Sequence, residues 1–200
     1  MTSRPLFGGQ RAWREEEWTS SDDSVRGGSS KSALTIAPAL DSVSFHGLLD
    51  TDTLGGAGFA SQRTTATEQV WDLGAFDALE VALGAGDGRR YTLNLKTHLP
   101  GKREDGRETS GVEYAYTFTA AKEGMIVVPW EAFVPFYRGR EAPSAAPLDP
   151  TCIRRWSIMI RSFFDQQHGH FKVVVRGIRA VKTRKSRKPR TSWECMCLVS

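Results

Sequence analysis

The chain has no run of about 18 uncharged apolar residues, so no membrane-crossing helix is expected. Its three cysteines cannot close a disulfide framework and fit a reducing compartment. Cys152 stands beside an apolar strand pattern and is expected to be a small buried residue. Residues 1–25 lack the apolar core of a secretory signal. Arg4, Arg11 and Arg14 would suit a mitochondrial presequence. The acids Glu15, Glu16, Glu17, Asp22 and Asp23 argue against one, and Pro5, Gly8 and Gly9 would break its amphipathic helix, so none is expected. A long helical period is also missing. So is the Gly-x-Ser-x-Gly elbow of the α/β hydrolases, and no catalytic constellation is legible.

Positive charge is scarce outside one segment. The net charge is +4, but residues 182–200 hold six basic side chains against Glu194, which is +5. Residues 1–181 therefore sum to −1, and the body has no bulk positive field with which to hold nucleic acid.

What the body does have is a period of two. Tyr91, Leu93 and Leu95 alternate with polar neighbours, as do Val112, Tyr114, Tyr116 and Phe118, then Trp156, Ile158 and Ile160, then Phe171, Val173 and Val175. Such alternation puts one face of each strand on a core. The last pattern changes phase at Gly177, where a bulge is expected. Further strands are expected over 33–37, 43–48, 79–83 and 125–129, and one or two helical turns over Glu131–Tyr137. Turn-rich links with no alternating helices indicate an all-β, two-sheet sandwich. The divisions expected are a flexible N-terminus (1–12), a β-sandwich domain (13–181) and a flexible polybasic tail (182–200).

Two glycine-rich stretches, Asp22–Ser30 and Leu54–Ser61, do not lead into a helical pattern and do not end in Gly-Lys-Ser/Thr. They are expected to be tight sheet corners rather than phosphate loops. His46 lies in an alternating strand. His168 and His170 flank Gly169 with no third ligand nearby, so a plain turn is expected and neither metal nor cofactor. Trp71, Trp130, Phe136 and Tyr137 are core candidates, unless some are exposed to stack on a sugar or a partner protein.

Several segments in order carry a resemblance: Trp18, Ser21-Asp22 and Gly27-Gly28-Ser29-Ser30; Phe45-His46-Gly47; Gly55-Gly56-Ala57-Gly58-Phe59-Ala60-Ser61-Gln62-Arg63; Arg90-Tyr91-Thr92-Leu93; Phe133-Val134-Pro135-Phe136-Tyr137-Arg138-Gly139-Arg140; and Gly169-His170-Phe171. Over residues 13–181 the chain resembles the complex I intermediate-associated 30-kDa protein family. The resemblance implies a jelly-roll sandwich of the galactose-binding-domain kind. It also implies a non-enzymatic, chaperone-like role in which protein partners, complex I assembly intermediates among them, are bound in mitochondria. A carbohydrate- or ligand-binding module unrelated to complex I is the alternative. The motif-loop residues are Asp22, Asp23, Gly27, Gly28, Gly55, Gly56, Phe59, Arg63, Arg138, Gly139 and Arg140. Their charged members serve either to lock loops by internal pairing or to bind a ligand.

The C-terminus reads Cys197-Leu198-Val199-Ser200, a C-a-a-X prenylation signal whose serine favours farnesyl. Lys182, Arg184, Lys185, Arg187, Lys188 and Arg190 lie upstream and supply the electrostatic second signal that stable anchoring on an anionic membrane needs. Cys195 can accept a reversible palmitoyl group. A prenylated protein on a cytoplasm-facing membrane is the expectation, with the mitochondrion as alternative. A solvated tail with an idle cysteine, and a nuclear-import or nucleic-acid arm, are the competing readings of the same segment.

Overall fold

Among the described residues there are thirteen strands, and every pairing between them is antiparallel. The structure is a computed structural model that describes residues 2–37, 42–101, 104 and 108–183. One sheet contains β3 (Lys31–Ala37), β4 (Ser42–Leu49), β13 (Gly169–Val181), β6 (Ala78–Gly86) and β9 (Gly124–Pro129) in that order, with β1 (Ser3–Gly8) also paired to β13. The other runs β11 (Arg140–Glu141), β10 (Val134–Tyr137), β8 (Glu113–Thr119), β7 (Arg90–Lys96), β12 (Arg155–Arg161), β5 (Phe59–Thr64) and β2 (Trp18–Ser20). The two sheets face one another as a sandwich, as the alternation predicts, and of the jelly-roll kind that the resemblance implies.

The period-two residues meet between the sheets. Tyr91, Leu93 and Leu95 from β7, Trp156, Ile158 and Ile160 from β12, and Phe171, Val173 and Val175 from β13 are all buried. Phe45, Tyr91 and Phe171 pack with centroids 5.0–6.4 Å apart. At the other end Trp156 meets Phe7 and Trp71 edge-on at 5.7 and 6.1 Å, and Phe7 also packs on Trp13 and Trp18. The register of β13 against β6 shifts between Val175 and Gly177, which is the bulge that the phase change predicts.

Four expectations are corrected. The N-terminus expected to be flexible contains a strand: Ser3–Gly8 pairs with residues 177–181, and Leu6 and Phe7 are buried. Its short apolar content, broken by Pro5, hid it. The helical turns expected over Glu131–Tyr137 reduce to a 3-10 turn at Trp130–Ala132 followed by the strand Val134–Tyr137. The prolines Pro129 and Pro135 leave no room for a longer helix. Phe59–Ser61, read as the end of the glycine corner Leu54–Ser61, begins the strand Phe59–Thr64, which lies between β12 and β2. Cys152 is only partly buried, in the turn Pro150–Cys152, with its sulfur 3.6 Å from Asp149. Burial and the neighbouring Asp149 charge push its thiol pKa up, so it is a poor nucleophile.

Candidate functional site

The adjacent carboxylates Asp22 and Asp23 organise one wall of the site. Asp22 accepts from Ser32 N (2.9 Å) and Ser32 Oγ (2.6 Å) on one sheet and from Ser61 N (2.8 Å) on the other. Asp23, fully buried, accepts from Ser30 N (3.1 Å), Ser30 Oγ (2.7 Å) and Phe59 N (3.1 Å). The two side chains stitch the sheets together beside the turn Asp23–Arg26, which Gly27 closes in the left-handed region (φ 82°). Gly28 is required by proximity, since a Cβ there would lie 2.3 Å from the Asp23 carboxylate. Asp22 and Asp23 are thus internal locks.

This lock places Phe59, Ser61 and Arg63 at the rim of a groove of about 340 Å³ on the outer face of the seven-stranded sheet. The floor follows from register. Ser157 on β12 sits between Arg63 on β5 and Asn94 on β7, and Met159 sits between Ser61 and Thr92. These are the outward partners of the buried Trp156, Ile158, Leu93 and Leu95. Asn94 Nδ2 donates to Ser157 Oγ at 3.4 Å. One wall is the Asp23–Arg26 turn, with the Arg26 guanidinium 5.6 Å from the centre of the Phe59 ring. The other comprises residues 108–111 and the turn at Arg138-Gly139, where Arg138 (φ 52°) donates from Nε to Ser110 Oγ at 3.3 Å.

The groove is strongly cationic although the body is not. Among the described residues six basic side chains line it (Arg26, Arg63, Lys96, Arg138, Arg155, Arg161) against two carboxylates, Glu108 and Glu113. Arg155 is 3% exposed and donates from Nη1 to Glu108 at 2.5 Å, and Arg63 Nη2 lies 3.9 Å from the same carboxylate. Burial on its own would raise the Glu108 carboxyl pKa. The Arg155 hydrogen bond and the charges of Arg155, Arg63 and Lys96 outweigh it and hold the group below the usual range. Burial, and then the Arg155 charge, lower the Arg63 pKa. Burial lowers that of Arg161, whose guanidinium lies 5.3 Å from the rings of both Phe136 and Phe163.

Of the residues expected from sequence, Phe59, Arg63, Arg138 and Gly139 line this groove, while Asp22, Asp23, Gly27 and Gly28 shape it. Gly55 and Gly56 belong to a separate turn, with Gly56 N bonded to Thr51 O at 2.8 Å. Arg140 is exposed on the edge strand β11 and does not line the groove. Arg155, Arg161, Lys96 and Glu108 were not singled out. The only signal for the first two is that they end an apolar strand on its outward phase, which the sequence alone does not mark as a site. His46 bonds Thr35 Oγ1 at 2.9 Å on the outer face of β4, and His168 and His170 are exposed. Among the described residues no group of three His, Cys, Asp or Glu is placed to hold a metal. Trp71 and Trp130 are core residues, Phe136 is half-buried and Tyr137 is exposed. Of the tail, Lys182 donates from its backbone N to Thr2 O at 3.0 Å; Arg184, Lys185, Arg187, Lys188, Arg190, Cys195 and Cys197 lie outside the described residues.

Residues 6–175 match the family described as complex I intermediate-associated protein 30. The chain belongs to that family. It is also 41% identical over 181 residues to an uncharacterized protein of Schizosaccharomyces pombe, covering 88% of this chain and 83% of that one. In fold, the family member resembles the family 11 carbohydrate-binding module of a cellulosomal cellulase of Clostridium thermocellum. The TM-score is 0.62 at 13% identity, over 93% of this chain and 98% of that one. The same module in complex with a β-1,3-1,4-mixed-linked tetrasaccharide also gives 0.62 at 13% identity, over 90% and 95% of the two chains. At 13% identity the likeness to these modules is one of fold.

Proposed function

We propose that the protein is a membrane-tethered assembly factor that holds protein partners in the outer groove of its seven-stranded sheet, with complex I intermediates as its partners. The observation that carries the reading is the groove itself. It is a groove on the outer face of the sheet, cationic on a body of net charge −1 and floored by paired strands. The family's own description supplies the class of partner. Tethering rests on the sequence of the tail, through a prenyl group on Cys197, help from Cys195 and the six upstream cations. The carbohydrate alternative has less support. Phe59 is the one aromatic residue in the groove lining, its face is taken by Arg26, and every tryptophan among the described residues is buried. Sugar recognition by stacking needs an exposed aromatic face.

The test is complementation of a deletion strain of a host that has complex I, read on native gels and by membrane fractionation. The deletion is expected to accumulate complex I subassemblies, and the wild-type protein to clear them. Ser157→Trp, which fills the groove floor without touching the core, is expected to fold and fail. Cys197→Ser is expected to leave the protein in the soluble fraction. Unchanged complex I in the deletion strain would contradict the partner class, and full rescue by Ser157→Trp would contradict the groove.

A further inference from the structure

One corner of the groove is electrostatically incomplete. Among the described residues Arg155, Arg63 and Lys96 share one carboxylate, Glu108. A guanidinium carries five N–H donors in a planar fork. Arg155 directs Nη1 to Glu108, but its Nε and Nη2 are buried and have no acceptor among the described residues. Arg161 Nε, further along the same groove, is in the same condition. A buried charged donor without a partner is costly, so two such guanidinia lining an open groove favour a ligand that supplies the acceptor.

We propose that this corner is a carboxylate-binding subsite, and that the groove takes an extended acidic peptide segment of the partner protein, with Glu108 as an internal occupant that the ligand's carboxylate displaces. This rests on the reading of the groove as the recognition surface. A carboxylate is the planar, bidentate complement of Arg155 and Arg63. Glu108 sits on the segment between β7 and β8 rather than on a strand of the floor, so it can withdraw while the floor keeps its register. The floor offers Met159, a soft apolar side chain, beside the polar Ser157 and Asn94, a mixture suited to alternating side chains of an extended segment. Among the described lining residues Phe59 alone is aromatic and Arg26 lies over its ring, which disfavours a glycan or single-stranded nucleic acid that would bind by stacking.

The experiment measures fluorescence anisotropy of labelled octaglutamate with the full chain at fixed ionic strength. Octaglutamine and tetragalacturonate serve as competitors. Arg155→Met is expected to weaken octaglutamate binding by roughly tenfold or more, and Arg63→Gln several-fold, by loss of charge-assisted contacts. Glu108→Gln is expected to tighten it several-fold, because the internal competitor loses its charge. That gain cannot come from misfolding, and neutral variants in the groove leave the charge of the basic tail unchanged. Octaglutamine is expected not to compete. The proposal is overturned if Glu108→Gln and Arg63→Gln leave octaglutamate affinity unchanged. It is also overturned if tetragalacturonate alone binds in an Arg155-dependent way, which would make the occupant an acidic glycan. Either failure leaves partner cross-links from Ser157 intact, whereas failure of the groove as a recognition surface removes them.

Discussion

Asp23→Ala is expected to lower stability by about 3 kcal/mol or more and to collapse one wall of the groove. The carboxylate is fully buried and holds three donors: Ser30 N, Ser30 Oγ and Phe59 N. Removing it strands Ser30 N and Phe59 N, while Ser30 Oγ keeps Asp50 O at 3.3 Å as its acceptor, and each buried unsatisfied donor costs about 1–3 kcal/mol. Ser30 precedes β3 on one sheet and Phe59 opens β5 on the other, so the loss falls on the junction between sheets. Phe59 carries Arg26 against its ring, so loosening its backbone also frees the Asp23–Arg26 turn. Asp23→Asn keeps one acceptor oxygen and is expected to cost less. Urea unfolding of both variants checks the order. Equal stability of wild type and Asp23→Ala would show that the lock is not structural.

Trp156→Ala is expected to cost about 3–5 kcal/mol, roughly 10 °C in melting temperature for a domain of this size. Trp156 has no exposed surface and is among the largest fully buried side chains. It supports both Phe7 on the N-terminal strand and Trp71, which pairs through an isolated bridge with Ile153. Its indole Nε1 has no acceptor among the described residues. Trp156→Phe therefore loses volume but no hydrogen bond, and is expected to cost less than half as much. The contrast separates packing from polar contributions in a thermal melt, and a phenylalanine variant as unstable as the alanine one would contradict it.

The sandwich was legible because its central strands alternate. Tyr91–Leu95, Trp156–Ile160 and Phe171–Val175 each carry an inward apolar series broken by polar residues, and the core forms where they predict. Strands without that signature were not legible. Ser3–Gly8 has only Leu6 and Phe7 to bury and contains a proline, which an edge-type pairing with the end of β13 tolerates. Phe59–Thr64 directs polar Gln62 and Thr64 inward, where Gln62 bonds to Ser32 and Thr64 accepts from Trp156 N, so its pattern reads as a loop.

The site was legible in part for a related reason. Asp22, Asp23, Phe59, Arg63, Arg138 and Gly139 are found through their motif turns. Arg155 and Arg161 sit at the outward phase of strand ends, where a basic residue is ordinarily solvated. Residues 108–111 and the turn at Arg138-Gly139 line the same groove as Arg155 and Arg161, and an approach between segments so far apart in the chain is not written in a local pattern.

The central claim is that partners bind on the outer face of the seven-stranded sheet. Its most direct test is site-specific photocross-linking in cells, with a benzophenone amino acid at Ser157 in the groove and, separately, at Val127 on the opposite sheet, where the side chain is 48% exposed. Adducts from position 157 that migrate with complex I intermediates on native gels, with none from position 127, are the predicted result. Adducts from position 127 alone would contradict the account.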